Sequence, residues 1–273
     1  MLSLDLRPYT LDRDFMIFAG VDVGSSTTKI VLLDKDKGLL GWSVQRSGTD
    51  FSEIAEIGLK QAFKKAGLLI GSEEIKTIST GYGRKNVLYS DGDKTEISCH
   101  ARGCYHFFPQ AITIIDIGGQ DNKVIQLDEQ GRRINFKMNR KCAAGTGAFL
   151  EEMALRLNIP LQDLDGLARQ SKEVIELGSF CTVFTATEVL EKIRQGKKVP
   201  DIVKGLFLSI IKRVLEMDLL GERVVMTGGV VAFNPFLKVM LEDLVHRPVW
   251  VPEYPQLTGA IGAALLAREI FLS

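Results

Sequence analysis

The sequence has no apolar run long enough to cross a membrane and no excess of either charge. A transmembrane helix needs about 18 or more consecutive apolar residues, and apolar stretches such as 207–214 are interrupted by polar residues. The 34 basic residues balance the 34 acidic ones, so we expect neither nucleic acid nor a membrane as a partner. The first fourteen residues are too polar for a signal peptide. We therefore expect a cytoplasmic protein with a short N-terminal extension before the first strand.

Cysteine and histidine are scarce, and two common nucleotide motifs are missing. Four cysteines in 273 residues are too few for a disulfide scaffold, and their simplest interpretation is four buried thiols. The spacing of Cys99, His100, Cys104 and His106 fits no common zinc pattern. There is no G-x-x-x-x-G-K-[ST] and no G-x-G-x-x-G after a strand, which argues against a P-loop ATPase and a dinucleotide-binding Rossmann unit.

What the sequence does contain is an internal repeat. Residues 18–34 and 112–128 both consist of an apolar β-branched segment, an Asp, a Gly turn and a second apolar segment. Four pairs of residues match at one constant offset: Asp22 with Asp116, Gly24 with Gly118, Lys29 with Lys123, and Asp34 with Asp128. Repeats this far apart predict two homologous halves, each beginning with a β-hairpin.

The two predicted turns carry groups that suit a phosphate and a metal ion. Glycine at the turn lets the backbone approach a ligand closely, and successive N–H groups with hydroxyls bind phosphate oxygens. The aspartates at the strand ends suit Mg²⁺ or the positioning of an attacking water. Two ordinary hairpins with polar tips are the alternative, which the repetition disfavours. The first phosphate site is then expected to comprise Gly24, Ser25, Ser26, Thr27 and Lys29, with Asp22 and Asp116 as the catalytic or Mg²⁺-binding carboxylates.

A third glycine turn, Thr227-Gly228-Gly229-Val230, follows a predicted strand at 223–226 and precedes a predicted helix from Pro235 to Leu244. Three turns in this order resemble the phosphate-1, phosphate-2 and adenosine motifs of the actin/Hsp70/hexokinase superfamily. That resemblance implies an α/β, two-domain, ribonuclease H-like fold with internal duplication that closes on ATP and Mg²⁺. Domain I would comprise 15–105 and 257–273, with a packing helix at 51–66, and domain II would comprise 106–256.

Two cysteines precede predicted helices. Cys142 is expected to open a helix running to about Leu157, and Cys181 one running to about Gln195. The unpaired N–H groups and positive dipole end of a helix stabilise a thiolate, which is the form that binds iron. An iron–sulfur cube takes four thiolates, so either all four cysteines of one chain or two from each of two chains could hold it. Two per chain on a twofold axis is the simpler geometry.

The motifs together resemble the ATP-dependent activators, or archerases, of 2-hydroxyacyl-CoA dehydratases, grouped with the ATPase subunits of benzoyl-CoA reductase. The matching segments are 21–25, 80–84, 96–100, 116–121, 141–147, 181–184 and 226–229. The resemblance implies a homodimer in which Cys142 and Cys181 of both subunits bind one [4Fe–4S] cluster. A ferredoxin or flavodoxin would supply the electron, and an iron–sulfur dehydratase, a benzoyl-CoA-type reductase or a double-cubane-cluster protein would accept it.

The same resemblance assigns the remaining nucleotide contacts. It implies a second phosphate site of Gly118, Gly119, Gln120 and Asp121, and ribose and adenine contacts from Gly145, Thr146, Gly147, Glu151, Gly228, Gly229 and Gln256. Two positions depart from the family: Thr185-Ala-Thr-Glu188 stands where activators usually have Ala-Glu-Ser-Glu, and Ala148 where Arg is common. A small-molecule kinase using Asp116 or Asp121 as general base, and a non-enzymatic actin-like scaffold, are the rival interpretations.

Overall fold

The computed structural model describes residues 16–71, 74–139, 142–178 and 181–272; the predicted N-terminal extension lies outside them. The described part contains two five-stranded sheets and helices around them. The strands are β1 Met16–Val23, β2 Thr27–Leu33, β3 Leu39–Arg46, β4 Glu74–Thr80, β5 Gly92–Asp93, β6 Ile112–Ile117, β7 Asn122–Leu127, β8 Arg133–Asn139, β9 Val224–Thr227 and β10 Val249–Trp250. The helices are α1 Phe51–Ala66, α2 Glu96–Phe107, α3 Gly147–Leu157, α4 Leu164–Arg169, α5 Thr182–Arg194, α6 Val199–Leu215, α7 Gly229–Phe233, α8 Phe236–Val245 and α9 Thr258–Leu272.

The first sheet has the order β3-β2-β1-β4-β5, with β1 antiparallel to β2 and parallel to β4. Its strands are rich in β-branched and aliphatic residues, and β1 is buried along nearly its whole length. The predicted helix at 51–66 is confirmed as α1. The Asp50 side chain accepts hydrogen bonds from the first N–H groups of α1, and Gly67 ends it in the left-handed conformation, the capping pair that fixes both helix ends.

The second sheet repeats this plan in the order β10-β9-β6-β7-β8. The β6–β7 hairpin pairs Asp116 with Lys123 across the strands, as the β1–β2 hairpin pairs Asp22 with Lys29. Both repeats even carry an irregularity at the same place, where the second and third strands pair. The internal duplication predicted from the sequence is therefore confirmed. A large apolar core between this sheet and the helices is centred on Phe149, Phe207 and their neighbours.

Two helices lie between the sheets. The predicted C-terminal helix is confirmed as α9, which packs on β1 and β4 of the first sheet and against α2. A Cβ added at Gly262 would collide with the carbonyl of Cys99, so glycine permits the close crossing of these two helices. Helix α2 also contacts β6, β7 and β8 of the second sheet. Across the described residues, no helix is both long and apolar enough to cross a membrane.

Candidate nucleotide and cluster site

The strands β1 and β6 each carry, one residue before the last, a buried aspartate that is paired with a lysine across the hairpin. Lys29 Nζ lies 3.2 Å from Asp22 Oδ2, and Lys123 Nζ lies 3.0 Å from Asp116 Oδ2. Burial alone would raise the pKa of Asp116, but the nearby positive charges of His100 and Lys123 outweigh it and lower that pKa to about 2. Asp116 is therefore held as a carboxylate inside the protein, which is the form that binds Mg²⁺ or orients water.

The lysine of the second hairpin is more deeply engaged than that of the first. Lys123 Nζ also lies 2.9 Å from Asp121 Oδ1, a residue predicted to belong to the second phosphate site. Burial would lower the pKa of Lys123, yet the charges of Asp116 and Asp121 raise it above its usual range. Lys29, assigned to the first phosphate site from the sequence, is directed at Asp22 in the same way.

The two hairpin turns are closed by equivalent backbone hydrogen bonds. The Gly24 N–H donates to Thr27 O at 3.1 Å, and the Gly118 N–H donates to Asp121 O at 2.9 Å. Ser25 and Gln120 occupy the exposed tips of their turns. The first turn is held from its own sheet, because Ser47 donates its N–H to Ser26 O and its hydroxyl to Gly24 O. No local motif marked Ser47, which follows β3.

The second turn is held by a helix instead. The Gly147 N–H donates to Gly118 O at 2.9 Å, and the Ala148 N–H donates to Gly119 O at 2.7 Å. These are two of the N-terminal N–H groups that a helix leaves without internal partners, so the start of α3 is bonded directly to the turn. A Cβ at Gly119 would collide with the Ser26 side chain. The tips of the two turns therefore lie against each other.

The loop between Cys142 and α3 is held in place by buried hydrogen bonds. Asn122 donates to Gly145 O at 2.9 Å, and Thr146 is fully buried with its hydroxyl donating to Ala143 O at 2.6 Å. Glu151 lies one turn further along α3 and is exposed. The loop thus joins the second turn rigidly to α3.

The third glycine turn lies beside the second strand end. Gly228 has a φ of 101°, and a Cβ there would collide with the carbonyl of Ile117 and lie 2.9 Å from Asp116 Oδ1. Its N–H donates to Pro255 O at 2.8 Å. The side chain of Gln256 lies over Gly229, with Nε2 3.4 Å from the position of a Cβ. The structure therefore brings Gln256, Gly228 and Gly229 together, next to Asp116.

Helix α2 contributes two polar side chains to the cleft that the sequence analysis did not assign. His100 Nδ1 lies 3.7 Å from Asp116 Oδ1. Glu96 lies near Asp22, Asp121 and Lys123, and burial, the largest effect, raises its pKa. The separation of Glu96 and His100 by four residues places both on one face of a helix. The available signals were that spacing and the resemblance of segment 96–100 to the activators.

The two cysteines predicted as cluster ligands differ in setting. Cys181 caps the N-terminus of α5 as predicted, but Cys142 does not open a helix: α3 begins five residues later, at Gly147. That part of the prediction is wrong, because the first N–H groups of α3 are directed to the second turn. Both thiols are partly exposed. Helices α3 and α5 contact each other.

Cys99 and Cys104 lie inside α2, and neither is at the N-terminus of a helix. Both are fully buried among apolar side chains, and burial raises the pKa of Cys99 to about 12 and that of Cys104 further still. A thiol with a raised pKa does not bind iron readily. Among the described residues no group of three or more His, Cys, Asp or Glu could hold a metal ion. One described chain thus offers no four-cysteine site.

The departure from the family pattern at Thr185 has a structural role. The buried Thr185 hydroxyl donates to Gly178 O at 2.7 Å and approaches Cys181 O at 3.0 Å. Glu188 accepts a hydrogen bond from the Gly178 N–H at 2.7 Å. Both side chains tie the first turn of α5 to the segment before Cys181. An open depression of about 390 Å³ lies beside this thiol.

Comparison with known proteins fits this arrangement. The model of the BadF/BadG/BcrA/BcrD ATPase family matches residues 19–267. The 2-hydroxyisocaproyl-CoA dehydratase activator of Clostridioides difficile is 41% identical over 93% of this chain and 96% of its own. The (R)-2-hydroxyglutaryl-CoA dehydratase activating ATPase of Acidaminococcus fermentans is 38% identical over 92% of this chain and 96% of its own.

Comparison with solved structures leads to the same group of proteins. The (R)-2-hydroxyglutaryl-CoA dehydratase component A of Acidaminococcus fermentans superposes with a TM-score of 0.88, at 35% identity, over 94% of this chain and all of its own. The Clostridium difficile activator with bound ADPNP gives 0.86, at 38% identity, over 93% and 95%. A glucokinase of the ROK family from Streptomyces griseus, 14% identical over 93% and 99% with a TM-score of 0.55, shares the fold alone. With its two mixed sheets, its duplicated Asp-Gly turns and its match over residues 19–267, the chain has the actin-like ATPase fold and belongs to the BadF/BadG/BcrA/BcrD ATPase family.

Proposed function

We propose that the protein is an ATP-driven activator that passes an electron to a partner iron–sulfur enzyme, a 2-hydroxyacyl-CoA dehydratase or a related reductase. The observation behind the proposal is a direct link: the turn that follows Asp116 is hydrogen-bonded to the start of α3, and α3 follows the loop of Cys142. The naming of the relatives as dehydratase activators supports the same function.

The nucleotide is proposed to bind between the three glycine turns. Asp22 and Asp116 would hold Mg²⁺ or the attacking water, and the N–H groups of the two hairpin turns would bind phosphate oxygens. A Cβ at Gly81 or Gly228 would collide with the carbonyl of Val23 or Ile117, so glycine lets the chain pack closely against the two strand ends that carry the aspartates. The donors and carboxylates therefore fit a nucleotide with its magnesium ion.

The proposed hinge lies between domain I, 15–105 with 257–273, and domain II, 106–256. Closure of the two halves on ATP would change the contact of Ser26 with Gly119. Because Gly119 O accepts from the N–H of Ala148, the change would reach the N-terminus of α3 through backbone hydrogen bonds. From α3 it would reach α5, and so Cys181, through their shared contact.

The [4Fe–4S] cluster is proposed to lie between two copies of the chain, held by Cys142 and Cys181 of each. The partial exposure of both thiols fits ligation across a shared axis. Val183 and Phe184, directly after Cys181, are each 71% exposed, and a second copy packed there would cover them. The bound cluster would supply a one-electron carrier, loaded by a reduced ferredoxin or flavodoxin.

Anaerobic purification with iron quantitation and size measurement tests the proposal. We expect a dimer with about four irons, lost in Cys142→Ala and in Cys181→Ala. Cys104→Ala is the matched control, since Cys104 is buried in α2, and should keep its iron. An iron-free protein that phosphorylates a small molecule would refute the proposal in favour of a kinase.

The nucleotide site is tested separately. Asp22→Asn should abolish ATP hydrolysis while leaving the visible absorption spectrum of the cluster intact, because Asp22 lies in the half that carries no cluster thiol. Hydrolysis retained at the wild-type rate would remove Asp22 from its proposed role.

A further inference from the structure

His100 lies between the two catalytic aspartates and is buried. Its Nδ1 is 3.1 Å from Thr258 Oγ1 and 3.7 Å from Asp116 Oδ1. A Cβ built on Gly259 would lie 3.1 Å from His100 Nε2 and 3.0 Å from Asp22 Oδ2, so those two atoms border the same space. The imidazole thus has one nitrogen near the aspartate of each half of the molecule.

Asp116 Oδ1 lacks a partner that its environment demands. The oxygen is buried and has no hydrogen bond from any described residue, whereas Oδ2 accepts from Lys123 at 3.0 Å. Burying a carboxylate oxygen without a hydrogen-bond donor is unfavourable, because the solvation it had in water is not replaced. His100 Nδ1, at 3.7 Å, needs only a small movement to donate to it.

The hydrogen-bond order next to His100 fixes which nitrogen carries a proton. Pro255 O can only accept, and Thr227 Oγ1 donates to it at 2.5 Å. Thr258 Oγ1 also lies 3.4 Å from Pro255 O, but the Thr227 and Thr258 hydroxyls are only 2.7 Å apart, and with the Thr227 hydrogen on Pro255 O this shorter contact makes Thr258 the donor to Thr227. The oxygen of Thr258 therefore accepts from His100, and Nδ1 bears the hydrogen.

We infer that His100 is a positioning residue for ATP hydrolysis, whose Nδ1–H is given to Thr258 in this structure and, after a small movement of the imidazole, to Asp116 Oδ1 opposite Lys123. The inference rests on the proposed function in giving Asp116 a part in the reaction. In the second position Lys123 and His100 would each hold one carboxylate oxygen, which fixes the orientation of the carboxylate plane. In the first position the hydroxyls of Thr258 and Thr227 connect the imidazole to the third glycine turn, whose first residue is Thr227.

Two substitutions distinguish the role of His100 Nδ1 from that of Nε2. In His100→Asn the amide nitrogen occupies the place of Nδ1, whereas in His100→Gln it occupies the place of Nε2. Loss of an outer-shell partner typically lowers activity about 10–100-fold, so we expect this loss of kcat in His100→Gln and most of the wild-type kcat in His100→Asn. The dissociation constant for ADP and the Tm should be the same in both.

ATP hydrolysis, ADP binding and thermal unfolding are measured on the full chain without any acceptor enzyme. Equal kcat in His100→Asn, His100→Gln and wild type would overturn the inference while leaving the proposed function intact. Equal losses in both variants, accompanied by a lower Tm, would also overturn it, since His100 would then be structural. A wild-type protein that binds no nucleotide would overturn the proposed function, and the inference with it.

Discussion

Removing the lysine from each hairpin should have unequal effects, although the two lysines occupy equivalent positions in the repeat. The Lys123 side chain is 4% exposed and forms ion pairs with Asp116 and Asp121, whereas the Lys29 side chain is 15% exposed and, among described residues, forms an ion pair with Asp22 alone. Lys123→Met leaves a buried carboxylate without its ion-pair partner, which costs about 3–5 kcal/mol. Lys29→Met, the matched control, also leaves the buried Asp22 carboxylate unpaired, but it removes one ion pair where Lys123→Met removes two, so it should cost less, at or below the lower end of that range.

The pH dependence of stability gives a second measure of the ion pair between Asp116 and Lys123. Because the pKa of Asp116 is lowered to about 2 from an ordinary value of about 3.9, its contribution to stability is complete above pH ~4. That contribution, about 2–3 kcal/mol, is lost as the pH falls from ~4 toward ~2. Lys123→Met removes a charge that lowers this pKa, so the fall in stability between pH ~4 and ~2 should be smaller in the variant than in wild type. Circular dichroism during urea titration at pH 7 and at acid pH measures both effects.

The reasoning would be refuted by a Lys123→Met protein that is no less stable than Lys29→Met at pH 7. A double variant, Lys123→Met with Asp116→Leu, adds a check within the same measurement. Since replacing a whole buried ion pair by apolar residues is often neutral, the double variant should recover most of the stability that Lys123→Met loses. A double variant as unstable as the single one would show that the loss came from packing.

Three further outcomes follow from the site. Gly228→Ala, at a φ of 101° and against a backbone carbonyl, should lose roughly 1–3 kcal/mol of stability to backbone strain, measured by thermal denaturation; an unchanged Tm would contradict this. Glu188→Gln keeps an acceptor for the Gly178 N–H and should retain its iron after anaerobic purification, whereas Glu188→Ala should lose part of it. In iron-free native protein at pH 8, a thiol reagent should modify Cys142 and Cys181 but not the two thiols of α2, whose pKa values burial raises; four fast thiols would be the contrary result.

Much of the fold was predictable because the duplicated pattern is local. Alternation of apolar residues around an Asp and a Gly turn defines each hairpin, and its two strands and closing bond lie within eighteen residues. The boundaries of α1 follow equally from Asp50 and Gly67, which cap it. Cys181 at the start of α5 was also predicted correctly.

The errors and omissions have a common physical cause, which is that the deciding partner is distant in sequence. The start of α3 at Gly147 depends on carbonyls of the second turn, at Gly118 and Gly119, so a local pattern wrongly began that helix at Cys142. His100 acquires its place through Thr258, which is 158 residues away. Beforehand, segment 96–100 was visible as a family match and through the four-residue spacing of Glu96 and His100, and neither feature gave these residues a role.

Duplication gave the two halves the same hairpin, but the surroundings of the two turns differ in a way that bears on the proposed mechanism. The first turn is held by Ser47, which follows β3 of the same sheet, so it moves only with that sheet. The second turn is held by the N-terminus of α3, so it cannot move without α3. A displacement at the contact between Ser26 and Gly119 would therefore be opposed by the first sheet, through Ser47, and passed on to α3 through the second turn. The helix that receives it follows the loop of Cys142, so under the proposed mechanism the second hairpin is the one that described hydrogen bonds link to a thiol-bearing segment.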